Sequence, residues 1–403
     1  MLKTEIDYAE LLSDLGRGLQ SNAIRKLTVL LGRREVISLA AGAPSPDTFP
    51  IEELSEIARQ VITDRGRVAL QYGPTKGQST LVEAVVDILR SRGIGEAKPT
   101  EVVMTSGSQQ GLDFVSRILL NRGDVALVEL PSYIGGIIAL QNTGAELVGI
   151  RQDDNGIVTS ELRETLDRIR SEGRRAKCIY TIPNFQNPSG VTLDPARRRE
   201  LVEIAEENDL LIVEDDAYFD LYLDDSSRLA PIAAIAPERV LYLGTFSKVL
   251  APGLRAAYVR APEQLAAKIE LAKEGADLSS SVLDQAIVME AIRRGLIEKR
   301  LGKLREFYNV RRLSMFDALE RFAPAGSRWT KPAGGFFVLL ELAEGIDTGS
   351  RLLAAIDNGV AYVPGAPFFV DGSGQTTIRL AYSRESPERI AEGVELMCGV
   401  LKL

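Results

Sequence analysis

The sequence contains no histidine, and its 403 residues include only two cysteines, Cys178 and Cys398. The lack of histidine excludes a Ser-His-Asp or Cys-His catalytic group and any zinc site that uses imidazole. Two thiolates also cannot build a four-thiolate zinc site within one chain. Proton transfer must therefore rely on Lys, Tyr, Asp, Glu, Cys or water, and a lysine with a lowered pKa is the first candidate.

Long apolar runs and an excess of positive charge are lacking too. No apolar run approaches the roughly 18–20 residues of a membrane span. The first residues, MLKTEIDYAELLSDLG, are acidic and carry no long apolar core, so we expect no signal peptide. The net charge of −8 gives no general attraction to nucleic acid or to an anionic membrane. One disulfide is arithmetically possible, but so few cysteines favour a reducing compartment, and we expect a cytoplasmic protein.

The chain is longer than one ordinary core requires, so two domains or one large domain with a satellite are expected. Short apolar runs alternate with helix-patterned segments from about residue 100 to 260. This alternation predicts a mostly parallel sheet covered by helices, the α/β class. The predicted strands are 102–105, 125–129, 177–182, 210–214 and 240–244, and the predicted helices are 108–121, 132–143, 160–171 and 194–208.

The remainder of the chain has a different pattern. From about 279 to 321 it is helical, and Gly295 and Gly302 interrupt the helical pattern only weakly. The three strand-like runs that follow, GGFFVLLEL, VAYVPG and TTIRLAYS, predict a smaller α+β domain.

A lysine directly follows the last predicted strand of the parallel sheet. Strand 240–244 leads into Thr245, Ser247 and Lys248, and the run APGLR then ends at Arg255. Open α/β sheets bind ligands at this carboxyl edge. A lone lysine there is usually a solvated loop residue. Here two hydroxyl groups and a guanidinium could bind a phosphate within reach of the amine.

Three more segments follow strands at the same edge. SGSQQG opens a helix whose N-terminus favours an anion, although a capping turn uses the same residue types. VEDDAY carries Asp215 directly after a buried run and Tyr218 three residues later, and PNFQNPSG carries Asn187 within ordinary turn chemistry. A carboxylate, a phenol, a phosphate site and an amine suit pyridoxal 5′-phosphate. Lys248 would then form the imine and move a proton.

Seven motifs resemble those of the fold-type I pyridoxal-phosphate aminotransferases of class I/II. The 2-aminoadipate (LysN-like) and kynurenine/2-aminoadipate aminotransferases are the most similar group. The motifs are ISLAAGAPSPDTFP, LQYGPTKG, TSGSQQGLD, PNFQNPSG, VEDDAY, TFSKVLAPGLR and IRLAYS. Each alone is modest, but their order and spacing are specific and cover nearly the whole chain. The resemblance implies transfer of an amino group from an acidic, apolar or aromatic L-amino acid to a 2-oxo acid such as 2-oxoglutarate.

The resemblance also implies an architecture. It implies fold type I, with a mostly parallel seven-stranded sheet in a large domain and a smaller α+β domain. Residues 1–45 would form an N-terminal arm and part of the small domain, 46–285 the large cofactor-binding domain, and 286–403 the interdomain helix and C-terminal small domain. Tyr72 resembles a tyrosine that reaches the phosphate of the neighbouring subunit, which implies a homodimer with shared active sites.

Cofactor-binding roles follow from the same resemblance. It implies that Lys248 forms the Schiff base, that Asp215 pairs with the pyridine nitrogen, and that Tyr218 and Asn187 bind the phenolic oxygen. Tyr133 resembles the aromatic residue stacked on the cofactor ring. The residues implied to hold the phosphate are Ser108, Gln109, Ser247 and Arg255, with Thr245 as a weaker candidate.

Substrate-binding roles are implied for three further residues. Arg379 resembles the arginine that binds the substrate α-carboxylate, helped by Asn187. Gly42 and Arg25 lie in a segment that resembles a mobile substrate-covering arm. Arg25 resembles an arginine that meets an acidic substrate side chain, and a solvated helix arginine is the alternative. The family often shows two glycines before the AP-like turn, whereas Ala41 stands at the first position here, which affects the expected width or mobility of the pocket.

Three alternatives remain at this point. A decarboxylase, an oxidase or a side-chain-modifying enzyme on the same scaffold would use the same residues. Some transcription regulators resemble this group but carry an N-terminal winged-helix module. About 40 residues precede ISLAAGAP and show no basic recognition pattern, so we do not expect a regulator. A structural protein without catalysis would not need Lys248, Asp215 and Arg379 together.

Overall fold

The structure is a computed structural model that describes residues 6–19, 36–343 and 345–402. Its α-helices are α1 Tyr8–Leu11, α2 Asp14–Gly18, α3 Ile51–Ala69, α4 Ser79–Ser91, α5 Ser108–Leu119, α6 Ile134–Gln141, α7 Thr159–Ser171, α8 Pro195–Glu207, α9 Glu263–Asp277, α10 Val282–Arg293, α11 Leu296–Phe322, α12 Thr348–Asp357 and α13 Pro387–Leu401. Its strands are β1 Ile37–Ser38, β2 Val102–Ser106, β3 Val125–Leu130, β4 Glu146–Asp153, β5 Gly156–Ile157, β6 Ala176–Thr181, β7 Leu211–Asp215, β8 Val240–Thr245, β9 Ala256–Arg260, β10 Arg328–Trp329, β11 Phe337–Glu341, β12 Val360–Ala361, β13 Val363–Pro364 and β14 Thr377–Ala381.

Within these ranges, eight strands form the large sheet in the order β2-β9-β8-β7-β6-β3-β4-β5. Neighbouring strands from β8 to β4 in this order are parallel, whereas β9 is antiparallel to both β2 and β8. The predicted α/β class with a mostly parallel sheet is confirmed. The sheet has eight strands rather than seven, because the chain turns back after β4 and pairs Gly156 and Ile157 with Asp153 and Gln152.

The central strands agree with the predicted apolar runs to within one or two residues. They are rich in Val, Ile, Leu and Tyr and are buried on both faces, as helix-covered parallel strands should be. The sequence analysis did not identify β4 or β9. The pattern of β4 mixes charged and apolar residues, and β9 begins with two alanines, which have little preference for strands.

A second, antiparallel sheet has the order β10-β11-β14-β13, and β1 pairs in parallel with β12 nearby. Leu39 N donates to Ala361 O, and Ala381 N donates to Leu39 O. These bonds attach the segment after β1 to two strands from the end of the chain. They place residues 40–44 beside β14, which carries Arg379.

The predicted helical stretch from 279 to 321 is two helices, so the weak interruption expected at Gly295 is wrong. Gly295 has φ +61°, a left-handed conformation that glycine adopts most readily, and it separates α10 from α11. Gly302 lies within α11, as expected. Tyr308 of α11 packs into the core of the large sheet and Leu319 into the core of the antiparallel sheet. One helix therefore contributes to both cores.

Both cysteines, Cys178 on β6 and Cys398 on α13, are buried free thiols. Within the described ranges, no helix is both long and apolar enough to cross a membrane.

A buried arginine fixes the loop between β6 and α8. Arg198 is 2% exposed, and a buried charge of this kind is tolerated only when its donors are satisfied. Its acceptors are Leu193 O at 2.9 Å, Ala230 O at 2.6 Å, Pro183 O at 3.0 Å and Asn184 Oδ1 at 2.7 Å. Asn184 Nδ2 in turn donates to Asp216 Oδ1 at 2.8 Å, which ties the loop to the end of β7.

We expect Arg198→Met to destabilise the protein by roughly 3 kcal/mol, because several buried acceptors would lose their donor. Urea unfolding followed by circular dichroism measures the change. The matched control is Arg199→Met, which changes the exposed neighbour on the same helix and should shift stability by no more than about 0.5 kcal/mol. Equal effects of the two substitutions would contradict the proposed anchoring.

Candidate active site

Most of the side chains predicted to act together meet in one cavity of about 360 Å³ at the carboxyl edge of the large sheet. The predicted residues in its lining are Gly42, Ser108, Tyr133, Asn187, Asp215, Tyr218, Lys248 and Arg379. A larger cavity of about 940 Å³ beside α2 and α6 is lined by none of these residues. The smaller cavity is therefore the candidate active site.

Asp215 ends β7 and is 4% exposed. Tyr180 Oη donates to its Oδ2 at 2.9 Å, whereas Oδ1 is buried and has no hydrogen-bond partner within the described part of the chain. Burial raises the pKa of Asp215 to about 6, and the hydrogen bond from Tyr180 opposes that increase. The unpaired oxygen can accept a hydrogen bond from a protonated nitrogen in the cavity.

The sequence analysis did not identify Tyr180, although strand register offers a signal. Tyr180 on β6 lies opposite Val213 on β7, and Asp215 is two residues further along the same face as Val213. The phenol therefore reaches the carboxylate from the adjacent strand. Predicting this contact would have required knowing that β6 and β7 are neighbours in the sheet and which of their residues are paired.

Lys248 follows β8 and is partly buried in the cavity wall. Burial lowers its pKa to about 8, while the charge of Asp215 raises it and the charges of Arg255 and Arg379 lower it. Its Nζ lies 5.8 Å from the centre of the Tyr218 ring. The lowered pKa leaves more of the amine neutral at physiological pH, the form that attacks a carbonyl carbon.

Two tyrosines border the same cavity. Burial raises the pKa of Tyr218, whose ring meets Phe337 edge-on with centroids 6.0 Å apart, so its hydroxyl stays protonated and can donate. Tyr133 directly precedes α6, and its Oη donates to Gln109 Oε1 at 3.4 Å. Gln109 Nε2 donates to Gly135 O at 2.8 Å. Both polar atoms of the Gln109 side chain, which was predicted to bind phosphate, therefore have partners within the protein.

Arg379 enters the cavity from β14 and is 2% exposed. Its Nη1 donates to Asn187 Oδ1 at 3.2 Å and its Nη2 to Ala40 O at 2.7 Å, while its Nε is buried without a partner among the described residues. The guanidinium lies 4.5 Å from the ring centre of Phe337 and 5.2 Å from that of Phe368. Burial lowers its pKa to about 10, which still leaves it charged at neutral pH.

The predicted phosphate residues surround the start of α5. Gly107 has φ +89°, and a Cβ there would collide with the Arg255 guanidinium. Arg255 Nη2 donates to Ser106 O at 3.2 Å. Ser108 begins the helix, where the first amide groups have no acceptor within the helix and favour an anion.

Ser247 follows β8, and Thr245 orients it. Ser247 N donates to Thr245 Oγ1 at 3.1 Å, and Thr245 Oγ1 donates to Ser247 Oγ at 3.0 Å. Within the described residues, Thr245 therefore holds the Ser247 hydroxyl in place.

A buried carboxyl group that the sequence analysis did not identify supports the loop carrying Asn187. Glu129 accepts hydrogen bonds from Thr181 Oγ1 at 2.6 Å, Ile182 N at 3.1 Å and Gln186 Nε2 at 3.1 Å. Burial raises its pKa to about 7. An acid inside the apolar run VALVEL was the available signal, because a buried carboxyl group needs such partners.

The outcomes for Tyr72, Arg25 and Gly42 differ from one another. Tyr72 is 80% exposed and does not line the cavity. Arg25 lies outside the described residues. Gly42 packs so closely on Phe337 that a Cβ would lie 2.5 Å from the ring, while Ala41 also lines the cavity. The position after Ala41 thus leaves no space for a side chain.

The chemistry of the cavity fits pyridoxal phosphate. Asp215 Oδ1 offers an acceptor for a ring N–H, the Lys248 amine can take the aldehyde, and Arg255 with the first turn of α5 can hold a phosphate. Among the described residues, no cluster of three or more Cys, Asp or Glu could hold a metal ion.

Comparison with known proteins gives one family. The family model "Aminotransferase class I and II" matches residues 34–396. The aromatic-amino-acid aminotransferase 1 of Thermococcus litoralis is 41% identical over 98% of this chain and 95% of its own length. The 2-aminoadipate transaminase of Thermus thermophilus is 40% identical over 95% and 94% of the two chains.

A solved structure is also similar. It is LysN, the α-aminoadipate aminotransferase of Thermus thermophilus, complexed with N-(5′-phosphopyridoxyl)-L-leucine. The TM-score is 0.91, with 37% identity and 98% of each chain covered.

The raised pKa of Asp215 predicts that the free energy of unfolding of the ligand-free protein depends on pH. Because the folded-state pKa of about 6 exceeds the ordinary value of 3.8, stability falls as pH rises from about 4 through 6. Asp215→Asn should therefore raise the free energy of unfolding at pH 8 by up to about 3 kcal/mol and have little effect near pH 4.

Thermal unfolding of the ligand-free variants at both pH values tests this sign. Asp154→Asn, at the exposed turn between β4 and β5, is the matched control and should change stability by no more than about 0.5 kcal/mol. A destabilising effect of Asp215→Asn at pH 8 would show that the buried carboxylate is stabilising instead.

Proposed function

This chain belongs to the class I and II aminotransferases, which depend on pyridoxal phosphate, and we propose that it moves amino groups from L-amino acids to 2-oxo acids such as 2-oxoglutarate. The proposed donors carry either an acidic side chain, as in 2-aminoadipate and glutamate, or an apolar or aromatic one. The observation that carries the proposal is the convergence of Lys248, Asp215 and Arg379 on one cavity.

Each of these residues has a proposed task. Pyridoxal phosphate, when bound, supplies an aldehyde for the amine and a protonated ring that withdraws electrons from the substrate Cα. Lys248 would hold the cofactor and, once its amine is released, would move a proton between the substrate Cα and the carbon of the cofactor's aldehyde group. Its lowered pKa of about 8 suits an amine that must alternate between neutral and protonated forms.

Asp215 would keep the ring nitrogen protonated through Oδ1, for which the described part of the chain offers no hydrogen-bond partner. Tyr180 occupies Oδ2, so the carboxylate has one oxygen directed to the protein and one available to the ligand. Tyr218 and Asn187 would bind the phenolic oxygen, and Tyr133 would stack on the ring. For the phosphate we propose the backbone and side chains at the start of α5 together with Ser247 and Arg255.

Arg379 would bind the substrate α-carboxylate, because a planar guanidinium can grip two carboxylate oxygens. Asn187 Oδ1 and the faces of two aromatic rings fix its orientation before substrate arrives. Side-chain selection would fall to the segment with Gly42 and to Arg25, which we propose meets acidic side chains only. The leucine adduct in an α-aminoadipate enzyme supports a pocket that accepts both kinds of donor.

The function is tested with the cofactor-loaded enzyme and a panel of amino acids, in the absence of 2-oxo acid. Transamination should give one equivalent of 2-oxo acid and pyridoxamine phosphate, and 2-oxoglutarate should then regenerate the starting spectrum. Arg379→Lys should lower kcat/KM for every donor by a similar factor, roughly 10- to 150-fold for the loss of about 1.5–3 kcal/mol. Arg25→Ala should instead lower kcat/KM for acidic donors and leave kcat/KM for leucine and phenylalanine unchanged.

Arg384→Lys, an exposed arginine beyond β14, is the matched control and should leave the panel unchanged. Release of carbon dioxide, or consumption of oxygen, without formation of pyridoxamine phosphate would replace transamination by decarboxylation or oxidation. A selective effect of Arg379→Lys on one class of donor would remove this residue from the α-carboxylate site.

We also propose a cytoplasmic homodimer in which Tyr72 completes the phosphate site of the neighbouring subunit. Its high exposure in the single chain supports a contact outside that chain, and two free, buried cysteines suit a reducing compartment.

Mixed dimers test the shared site. Tyr72→Phe and Lys248→Ala subunits should each have little activity alone, whereas refolded mixtures should regain up to about half the activity per heterodimer, because one of the two sites then carries neither change. Sedimentation of an active monomer, or no recovery in the mixture, would refute the arrangement.

A further inference from the structure

Lys273 on α9 is an unusual buried charge outside the cavity. It is 0% exposed, although lysine is almost never fully buried unless it is paired. Its Nζ lies 2.6 and 2.7 Å from the two carboxylate oxygens of Asp277, one turn later on the helix. Lys273 is fully buried, whereas the Asp277 side chain is partly exposed. Such a pair adds little net stability, and its effect is to orient the groups that bind to it.

Asp277 passes this orientation to α5. Its Oδ2 accepts a hydrogen bond from Gln110 Nε2 at 2.7 Å, and Gln110 Oε1 accepts one from Ser106 N at 2.8 Å. An ionised carboxylate can only accept, so the amide of Gln110 must present its nitrogen to Asp277 and its oxygen to Ser106. The ion pair thereby fixes which way the amide faces.

Ser106 is held at all three of its polar groups. Besides its N–H, its carbonyl oxygen accepts from Arg255 Nη2 at 3.2 Å, and its hydroxyl donates to Ser280 Oγ at 3.1 Å. Gly107 and Ser108 follow directly, and Ser108 is the first residue of α5. The direction of the first helical amide groups therefore depends on how firmly Ser106 is held.

We propose that Lys273, Asp277 and Gln110 are positioning residues for the cofactor phosphate, acting through Ser106 on the turn that begins α5. The inference rests on the proposed function, because it requires pyridoxal phosphate to bind at this turn. Donors held in place before the anion arrives need no reorganisation on binding. None of the three residues lines the cavity, and by this proposal none touches the ligand.

The test compares two ligands that differ only in the phosphate. Full-length protein stripped of cofactor is titrated with pyridoxal phosphate and with pyridoxal. Gln110→Met should raise the Kd of pyridoxal phosphate by about tenfold, the effect of misplacing roughly one charge-assisted hydrogen bond. The Kd of pyridoxal should change by less than about twofold. The 31P resonance of bound pyridoxal phosphate should shift as well.

Asp277→Asn gives a second variant of nearly the same shape. An asparagine amide can donate as well as accept, so Gln110 is no longer locked, and the preference for the phosphorylated ligand should again fall. Thr348→Val is the matched control. It removes a hydroxyl that lies 2.9 Å from both Gln375 O and Thr377 O beside the antiparallel sheet, and it should leave the ratio of the two Kd values unchanged.

Equal weakening of both ligands by Gln110→Met and Asp277→Asn would show a merely structural role and overturn the proposal. An unchanged ratio in folded variants would overturn it too. Failure of the wild-type protein to bind pyridoxal phosphate on Lys248 would instead refute the proposed function, so the two failures are distinguishable.

Discussion

Asp215 is buried at the end of a central strand, and among the residues that the structure describes only one of its two oxygens has a hydrogen-bond partner. The adjacent acids do not share this exposure to the cavity. Glu214 accepts from Ile232 N and Ala233 N, and Asp216 accepts from Asn184 and Tyr242. The two outer carboxyl groups therefore bind protein groups, and alternation along the strand directs Asp215 to the opposite side from both of them.

The rest of the site is arranged around this carboxylate. Lys248 comes from the neighbouring parallel strand β8, Asn187 from the loop after β6, and Ser108 from the helix after β2. Arg379 comes from the second sheet and binds both Asn187 and the backbone after β1. The cavity is thus closed by segments from both sheets. Burial there lowers the pKa of the Lys248 amine, the charge of Asp215 opposes this, and the charges of Arg255 and Arg379 add to it.

Sequence reasoning identified the parts of the fold and site that are local in the chain. The buried strands carry continuous apolar runs, and the residues that follow them lie at one edge whatever the exact strand order. Gly295 shows the limit of this reasoning, because a helical pattern on both sides concealed a break that depends on one backbone conformation.

Supporting residues were harder to find. Tyr180 and Glu129 bind residues distant in sequence, at positions fixed by strand register. Lys273 pairs with Asp277 on its own helix, and this pair reaches α5 only through Gln110. The residues next to a buried tyrosine, glutamate or lysine in the sequence do not indicate which side chain it will bind. The roles of Arg25 and Tyr72 remain predictions, since the first lies outside the described residues and the second is exposed in a single chain.

The thiols and the cavity lysine differ in reactivity. Burial raises the pKa of Cys178 to about 12 and that of Cys398 to about 11, so neither is a ready target for oxidants or alkylating metabolites at neutral pH. Lys248 is the opposite case, an activated amine in an open cavity. Stray cellular aldehydes would compete for it in newly made protein. A cofactor seated on that nitrogen serves, in the language of synthesis, as its protecting group.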